Sequence, residues 1–213
     1  VLWKPPGWAV QVDEAEEEAL SASWRPLWEW VAEELGPYSA IAANEDVKYG
    51  LVHRLDVETS GALLCAKTFR GYFLARLHFA CRRVLKVYAC LCHGHLHAAP
   101  RRLDAPLSRR RREDGRWITE ATPAGRRAST EVLAAAHLGG PGAEPVSLCL
   151  LRLHTGRTHQ IRAHMTASGH ALVGDVPYAG CGCAWWPRLL LHARRLALHV
   201  GAAAIDVEVP LPE

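Results

Sequence analysis

The sequence predicts an α+β domain, and three observations carry that reading. Residues 84–92 and 205–209 alternate with the two-residue period of a strand. Residues 68–82 and 158–168 have apolar spacing and end signals suited to helices. Ser129 to Ala136 and Val146 to Leu153 read as two strands joined by the loop Gly139-Gly140-Pro141-Gly142, so their pairing is expected to be antiparallel.

Taken in order, Val1-Leu2-Trp3 reads as a strand that ends in the turn Lys4-Pro5-Pro6-Gly7. Val1 already looks like mid-strand, so the chain is expected to be part of something longer. Residues 13–18 are an acidic loop. Ser23 to Gly36 reads as a helix, with Ser23 as cap, Pro26 in the first turn and Gly36 at the end. Leu27, Trp30, Val31 and Leu35 would form its inner face. Residues 37–50 are irregular. Ala62-Leu63-Leu64-Cys65-Ala66 is a short apolar run and reads as a buried strand. Thr68 caps the next helix, with Phe69, Phe73, Leu77 and Ala80 at helical spacing. In the strand 84–92, period two puts Leu85, Val87, Ala89 and Leu91 on the core face and Lys86, Tyr88 and Cys90 on the other. Residues 98–127, centred on Arg109 to Arg112, read as a loop or hairpin with a solvated charge run. Thr155-Gly156 makes a turn, and Thr158 can cap a helix that stops at Gly169. Leu189 to Val200 is apolar, interrupted by Arg194 and Arg195. Ile205, Val207 and Val209 give a half-buried final strand.

At 213 residues, 49% of them hydrophobic, the chain can bury one core and is read as a single domain over residues 1–213. No apolar run reaches membrane-spanning length, and no N-terminal signal pattern is present. The net charge of +3 hides an asymmetry. Residues 1–50 carry three Lys/Arg against ten Asp/Glu, and the remainder carries 22 against 12. The basic part is the expected footprint of a phosphate-backbone partner, although a solvated basic face has the same composition. Seven cysteines without framework spacing suggest a reducing, intracellular setting, with Cys65, Cys90 and Cys149 as small buried hydrophobes.

The stretch His53-Arg54-Leu55-Asp56-Val57-Glu58-Thr59-Ser60-Gly61 leads into the apolar run at residue 62. Polar side chains packed there are costly unless each finds a partner, so the cluster suits a cleft in which one carboxylate is held and aimed. Taken alone, Asp56 reads as a turn cap or as the partner of a nearby arginine. The nine residues together resemble the HRLDxxTSG signature of the RluA-type pseudouridine synthases, without departure at the fixed positions. Two further matches follow in the same order. One is Lys86-Val87-Tyr88-Ala89. The other is Thr155-Gly156-Arg157-Thr158-His159-Gln160-Ile161-Arg162-Ala163-His164, followed by Gly169-His170-Ala171-Leu172-Val173-Gly174-Asp175. The resemblance runs from Lys4-Pro5-Pro6-Gly7 to Leu191-His192-Ala193 and is thinnest over residues 9–47 and 98–127.

This resemblance implies the pseudouridine synthase catalytic fold, a central, largely antiparallel mixed β-sheet flanked by helices. It also implies conversion of uridine to pseudouridine in RNA, a redox-neutral isomerisation that needs no cofactor and no metal. By resemblance the catalytic residues are Asp56, Tyr88 and Arg162. Asp56 is the catalytic aspartate, Tyr88 stacks on the extruded base, and Arg162 pairs with the aspartate and keeps it ionised against desolvation. Arg54, Arg157, His159 and Gln160 are expected on the substrate side. A planar guanidinium at Arg54 suits the place vacated by the base. The one partner implied is the RNA. No membrane and no obligatory protein partner is evident. Arg157 and Arg162 also sit near a helix N-terminus, where anionic side chains are the favoured kind, a local conflict typical of an anion site.

Three other functions compete. An RNA-binding module without catalysis predicts loss of Asp56, Tyr88 or Arg162, and all three are present. A metal protein would use Cys90, Cys92, His93 and His95, with His97, Cys181 and Cys183 nearby. Along a strand those thiols and imidazoles fall on opposite faces, which disfavours one tetrahedral site. A glycoside hydrolase needs a second placed acid, and Glu58 stands at a variable position of the signature.

Overall fold

The computed structural model describes residues 1–10, 25–97, 101–179, 186–201 and 203–212. In chain order its elements are β1 (Leu2–Lys4), β2 (Trp8–Ala9), β3 (Arg25–Pro26), α1 (Leu27–Leu35), β4 (Ser60–Leu63), α2 (Phe69–Ala80), β5 (Leu85–His93), β6 (Arg101–Leu103), β7 (Leu107–Arg111) and β8 (Trp117–Ala121). They continue with β9 (Thr130–Gly139), β10 (Pro145–Leu153), α3 (Gln160–Ala167), α4 (Val176–Ala179), β11 (Leu191–Val200) and β12 (Ala203–Glu208). The α+β reading holds. The chain packs as two compact units, Val1–Leu85 with Ala193–Glu213, and Lys86–His192.

In the first unit the strands run in the order β1, β4, β11, β12. β1 and β4 pair antiparallel, Lys4 facing Gly61, and β11 and β12 pair antiparallel. The core joins Ile41, Val52, Leu64, Tyr72, Leu196 and Leu198. β4 is buried along its whole length, as its apolar run requires. Gly61 has φ +118, and a Cβ there would run into the backbone of Ala193. The strand therefore reaches its neighbour only because this position is glycine. Gly61→Ala is expected to lower the urea midpoint, backbone strain alone costing about 1–3 kcal/mol. An unchanged midpoint would refute this close approach.

The helices of this unit depart from expectation in instructive ways. α1 begins at Leu27, and the residue at its cap position is Pro26, which offers no side-chain acceptor. The expected Ser23 cap and the acidic loop at 13–18 lie outside the described residues. Leu27 and Val31 are buried, but Trp30 is 36% exposed, so the inward stripe is narrower than the spacing suggested. Trp28 instead stacks on Tyr49, with ring centroids 4.9 Å apart. In α2 the Thr68 cap is present, its hydroxyl accepting the Gly71 N–H at 3.1 Å. The expected inner face is reversed, however. Tyr72 and Ala75 are buried while Phe69, Phe73 and Leu77 are 42%, 61% and 57% exposed. The helix is apolar on nearly every side, so its periodicity fits two faces and the core takes the one with Tyr72.

In the second unit β5, β10, β9 and β6 pair antiparallel in that order. Cys149 faces Cys90 on one side and Ala135 on the other. β9 and β10 carry the predicted hairpin. β5 does not show a single core face: Val87, Tyr88, Ala89 and Cys90 are all buried, so both of its faces are covered. The arginine-rich segment is a hairpin of β7 and β8, Arg109 opposite Thr119. The guanidinium of Arg109 lies 5.0 Å above the Trp117 ring. No helix among the described residues is long and apolar enough to cross a membrane.

Candidate active site

The signature stretch lies in the first unit, within the span closed by the isolated bridge of Leu51 to Cys65, and its last two residues, Ser60 and Gly61, begin β4. Leu55 is buried at 5% exposure, and Arg54 and Asp56 on either side of it are half-buried. The side chain between them thus anchors the backbone, while theirs are only partly withdrawn from solvent. The Asp56 carbonyl accepts the Thr59 N–H at 3.0 Å, which folds residues 56–59 into a turn with Val57 and Glu58 at its tip. The His53 Nε2 accepts the Leu64 N–H at 3.0 Å, and its ring stacks on Phe79 at 4.7 Å. An amide N–H can only donate, so Nε2 carries no proton. His53 is therefore a clamp at the entrance of the stretch.

A second clamp was missed in the sequence. Lys4, in the first turn, is fully buried. Its ammonium donates to the carbonyls of Pro5, Trp8 and Val57, each at 2.9 Å. The Val57 carbonyl also accepts the Gly7 N–H at 2.9 Å. The KPPG turn is thereby tied to the residue that follows Asp56. Burial pulls the Lys4 pKa down to about 7, and the Asp56 charge opposes that pull. A lysine with a depressed folded pKa binds fewer protons in the folded than in the unfolded state between pH 7 and 10.5. Stability should therefore rise with pH across that window and be level below it. Urea unfolding at several pH values checks this: Lys4→Met should lack the rise, and parallel curves for the two chains would refute it.

The second unit holds the other sequence-predicted residues. Tyr88 lies on β5, opposite Leu151, and is 8% exposed. Next along the same strand, the Lys86 ammonium donates to the Thr155 carbonyl at 3.2 Å. α3 does not begin with a Thr158 cap. Its cap position is His159, in left-handed backbone (φ 50°) and without a side-chain cap bond. Such a conformation is uncommon for a residue with a Cβ and concentrates at functional sites. The His159 Nδ1 is hydrogen-bonded to the Tyr178 hydroxyl at 3.0 Å, and the Thr119 N–H donates to the same oxygen at 2.8 Å. Burial, foremost, raises the Tyr178 pKa, so the phenol keeps its proton.

Gln160 is 2% exposed and its amide is fully used. Its Oε1 accepts from the Thr155 hydroxyl at 2.7 Å and the Arg157 N–H at 3.0 Å. Its Nε2 donates to the Ser129 carbonyl at 2.9 Å and the Thr130 hydroxyl at 3.0 Å. The chain of bonds continues to His164. Its Nε2 meets the Ala105 carbonyl at 2.9 Å, so that nitrogen carries the proton and Nδ1 accepts from Thr130 at 2.9 Å. Burial, foremost, lowers the His164 pKa, in keeping with a neutral ring. These bonds hold the 155–160 turn, β9 and the start of α3 in one arrangement. Arg157, at that turn, also donates from Nε to the Arg127 carbonyl at 3.3 Å.

Arg162 is buried. It donates from Nε and Nη2 to both oxygens of Asp175, at 2.9 and 2.7 Å, with side-chain exposures of 5% and 0%. Its guanidinium also lies 4.7 Å over the Tyr178 ring. Asp175 and Tyr178 carried no role in the sequence reading. Asp175 stood in the quoted motif, and Tyr178 follows it by three residues, the spacing that places both on one side of a helical turn. Within this unit the fold brings together Arg157, His159, Gln160 and Arg162 through Tyr178, Asp175 and the Thr155 turn. Arg54 and Asp56 share the first unit.

The residues of the rival metal reading behave otherwise. The Cys92 and Cys149 sulfurs are 3.8 Å apart in the core, and His95 stacks on His137 at 4.5 Å. Among the described residues no three His, Cys, Asp or Glu side chains form a metal-binding group. Cys181 and Cys183 lie outside those residues.

Comparison with known proteins is consistent across sequence and structure. The family described as RNA pseudouridylate synthase matches residues 1–167. A curated relative in Mycobacterium bovis, named as an uncharacterized RNA pseudouridine synthase, is 35% identical over 189 residues, which is 82% of this chain and 56% of the relative. The solved structure of human RNA Pseudouridylate Synthase Domain Containing 1 superposes with a TM-score of 0.67 at 31% identity, covering 76% of this chain and 69% of that one. Human RNA Pseudouridylate Synthase Domain Containing 4, at 21% identity and TM-score 0.68 over 99% of this chain and 84% of its own, shares the fold. The chain spans little more than half the length of the curated relatives it matches.

Proposed function

This chain belongs to the RNA pseudouridylate synthase family, and from that premise we propose that it isomerises uridine to pseudouridine in RNA with Asp56 as the catalytic carboxylate. The observation that carries the reading is the family match over residues 1–167, which contains the uninterrupted Asp56 stretch. In the reaction the bond from uracil N1 to ribose C1′ breaks, the base turns, and C5 bonds to C1′. C5 gives up its proton and N1 gains one, so no electrons are exchanged with a cofactor. Asp56 is the anionic group acting at the nucleotide. The Thr59 turn and the Lys4 and His53 clamps, which fix the backbone on both sides of Asp56, support that role by preorganising the carboxylate.

Tyr88 is assigned to the extruded base and Arg162 to the basic member of the catalytic set. Arg54 and Arg157 are assigned to the RNA, since guanidinium groups serve both phosphate and base stacking. For His159 and Gln160 the hydrogen bonds favour a narrower role on the substrate side, that of shaping the turn from which Arg157 projects. The RNA class, whether transfer, ribosomal or messenger, is left to the assay. An intracellular setting follows from an RNA substrate. The test is incubation of the purified chain with transcripts in chelator, with pseudouridine mapped by chemical adducts. Site-specific product from wild type supports the proposal. Tight RNA binding with no product on any transcript favours the binding-module reading.

A further inference from the structure

We propose that the exposed face of α2 is a docking surface for the RNA strand that flanks the target nucleotide. The inference rests on the RNA reading above and deepens it. Phe69, Phe73 and Leu77 succeed one another by four residues and stand 42%, 61% and 57% exposed along one side of the helix. A globular domain rarely leaves such a stripe uncovered without a partner. The segment from Lys67 to Arg83 carries five Lys/Arg and no Asp or Glu. Lys67, Arg70, Arg82 and Arg83 are exposed beside the apolar stripe. Exposed rings set among cations make a stacking platform with an electrostatic field suited to a single-stranded polyanion. Four of the five cations are arginines, whose planar groups stack on bases as well as pairing with phosphate.

The helix also touches the start of the signature stretch and the residue before it. Phe79 stacks on His53 at 4.7 Å, and Arg76 donates to the Val52 carbonyl at 3.2 Å. One helix therefore both braces the approach to Asp56 and offers the platform. Exposed Cys81 at its end is a native probe of the surface.

The test uses the full chain and labelled, mixed-sequence single-stranded RNA, titrated by anisotropy over a salt series. Two surface variants are compared with wild type, the double Phe69→Ser, Phe73→Ser and the double Arg70→Glu, Arg83→Glu. Alkylation of Cys81, read by peptide mass, is followed with and without RNA. Each variant should weaken RNA binding about tenfold or more. The arginine variant should also reduce the salt slope by about 1.4, at about 0.7 for each phosphate contact on a single strand. RNA should slow alkylation of Cys81. Unchanged affinity in both variants overturns the proposal. So does a serine variant that loses self-association or retention on anionic vesicles while keeping RNA affinity, since the stripe would then serve a second copy or a membrane. Pseudouridine formation by wild type is scored separately. Product with unchanged variant affinity overturns only the docking surface. No product with weakened variant affinity overturns only the isomerase reading.

Discussion

Asp56→Asn should abolish pseudouridine formation while leaving RNA affinity and folding intact. The exchange keeps the shape of the side chain and removes its charge, so it isolates the group that must be anionic. The rate should fall by about four orders of magnitude or more, the scale on which removal of a central catalytic group acts. The chain should still fold, because the backbone around residue 56 is also held by Lys4, His53 and the Thr59 turn. Adduct mapping beside RNA titration checks both halves of the expectation. Product formed by the Asp56→Asn chain would assign the chemistry to another group.

Arg162→Ala should lose activity for a reason that activity alone cannot reveal. The guanidinium meets Asp175 with two hydrogen bonds in a site where the carboxylate is wholly buried. Removing the cation strands that charge, which costs about 3–5 kcal/mol when one member of a buried pair is deleted. The variant should therefore unfold at much lower urea. Replacing both members by apolar residues, Arg162→Met with Asp175→Leu, should restore much of the stability, since such pairs exchange for hydrophobic packing at little net cost. If the refolded double variant stays inactive, the cation itself is needed for the reaction. If activity returns with stability, Arg162 serves the fold through Asp175.

These two residues show what the sequence could and could not reveal. The Asp56 stretch was legible because it is a run of contiguous residues that ends at a strand whose burial follows from its composition. The pairing partner of Arg162 within its unit was not legible, since Asp175 lies 13 residues further on and only the packed fold decides which acid a buried arginine meets. The same holds for Lys4, where the signal was a turn motif and the role depends on three carbonyls, one of them 53 residues away. The strands β9 and β10 and their hairpin followed from local alternation and a glycine-rich turn. α2 was found by its Thr68 cap, yet its inner face was misjudged, because a helix with apolar residues on two sides leaves the choice to tertiary packing. β5 likewise hid its burial on both faces behind an alternating pattern.

The close approach at Gly61 sets a timetable for synthesis. The residue that β4 meets there is Ala193, 132 positions later (193 − 61). As the chain leaves the ribosome, the segment bearing Asp56 is made early, but its neighbouring strand arrives only after the whole of residues 86–192 has been delivered. Until then the nascent chain holds a buried-type strand with an open edge, the kind of edge that recruits wrong partners. Pairing over so long a span also closes a large loop before it returns any contact energy, which makes this step slow compared with the local hairpin of β9 and β10. The edge of β4 is thus closed late in folding, and a chain interrupted before β11 would carry the complete signature without the strand that Gly61 meets.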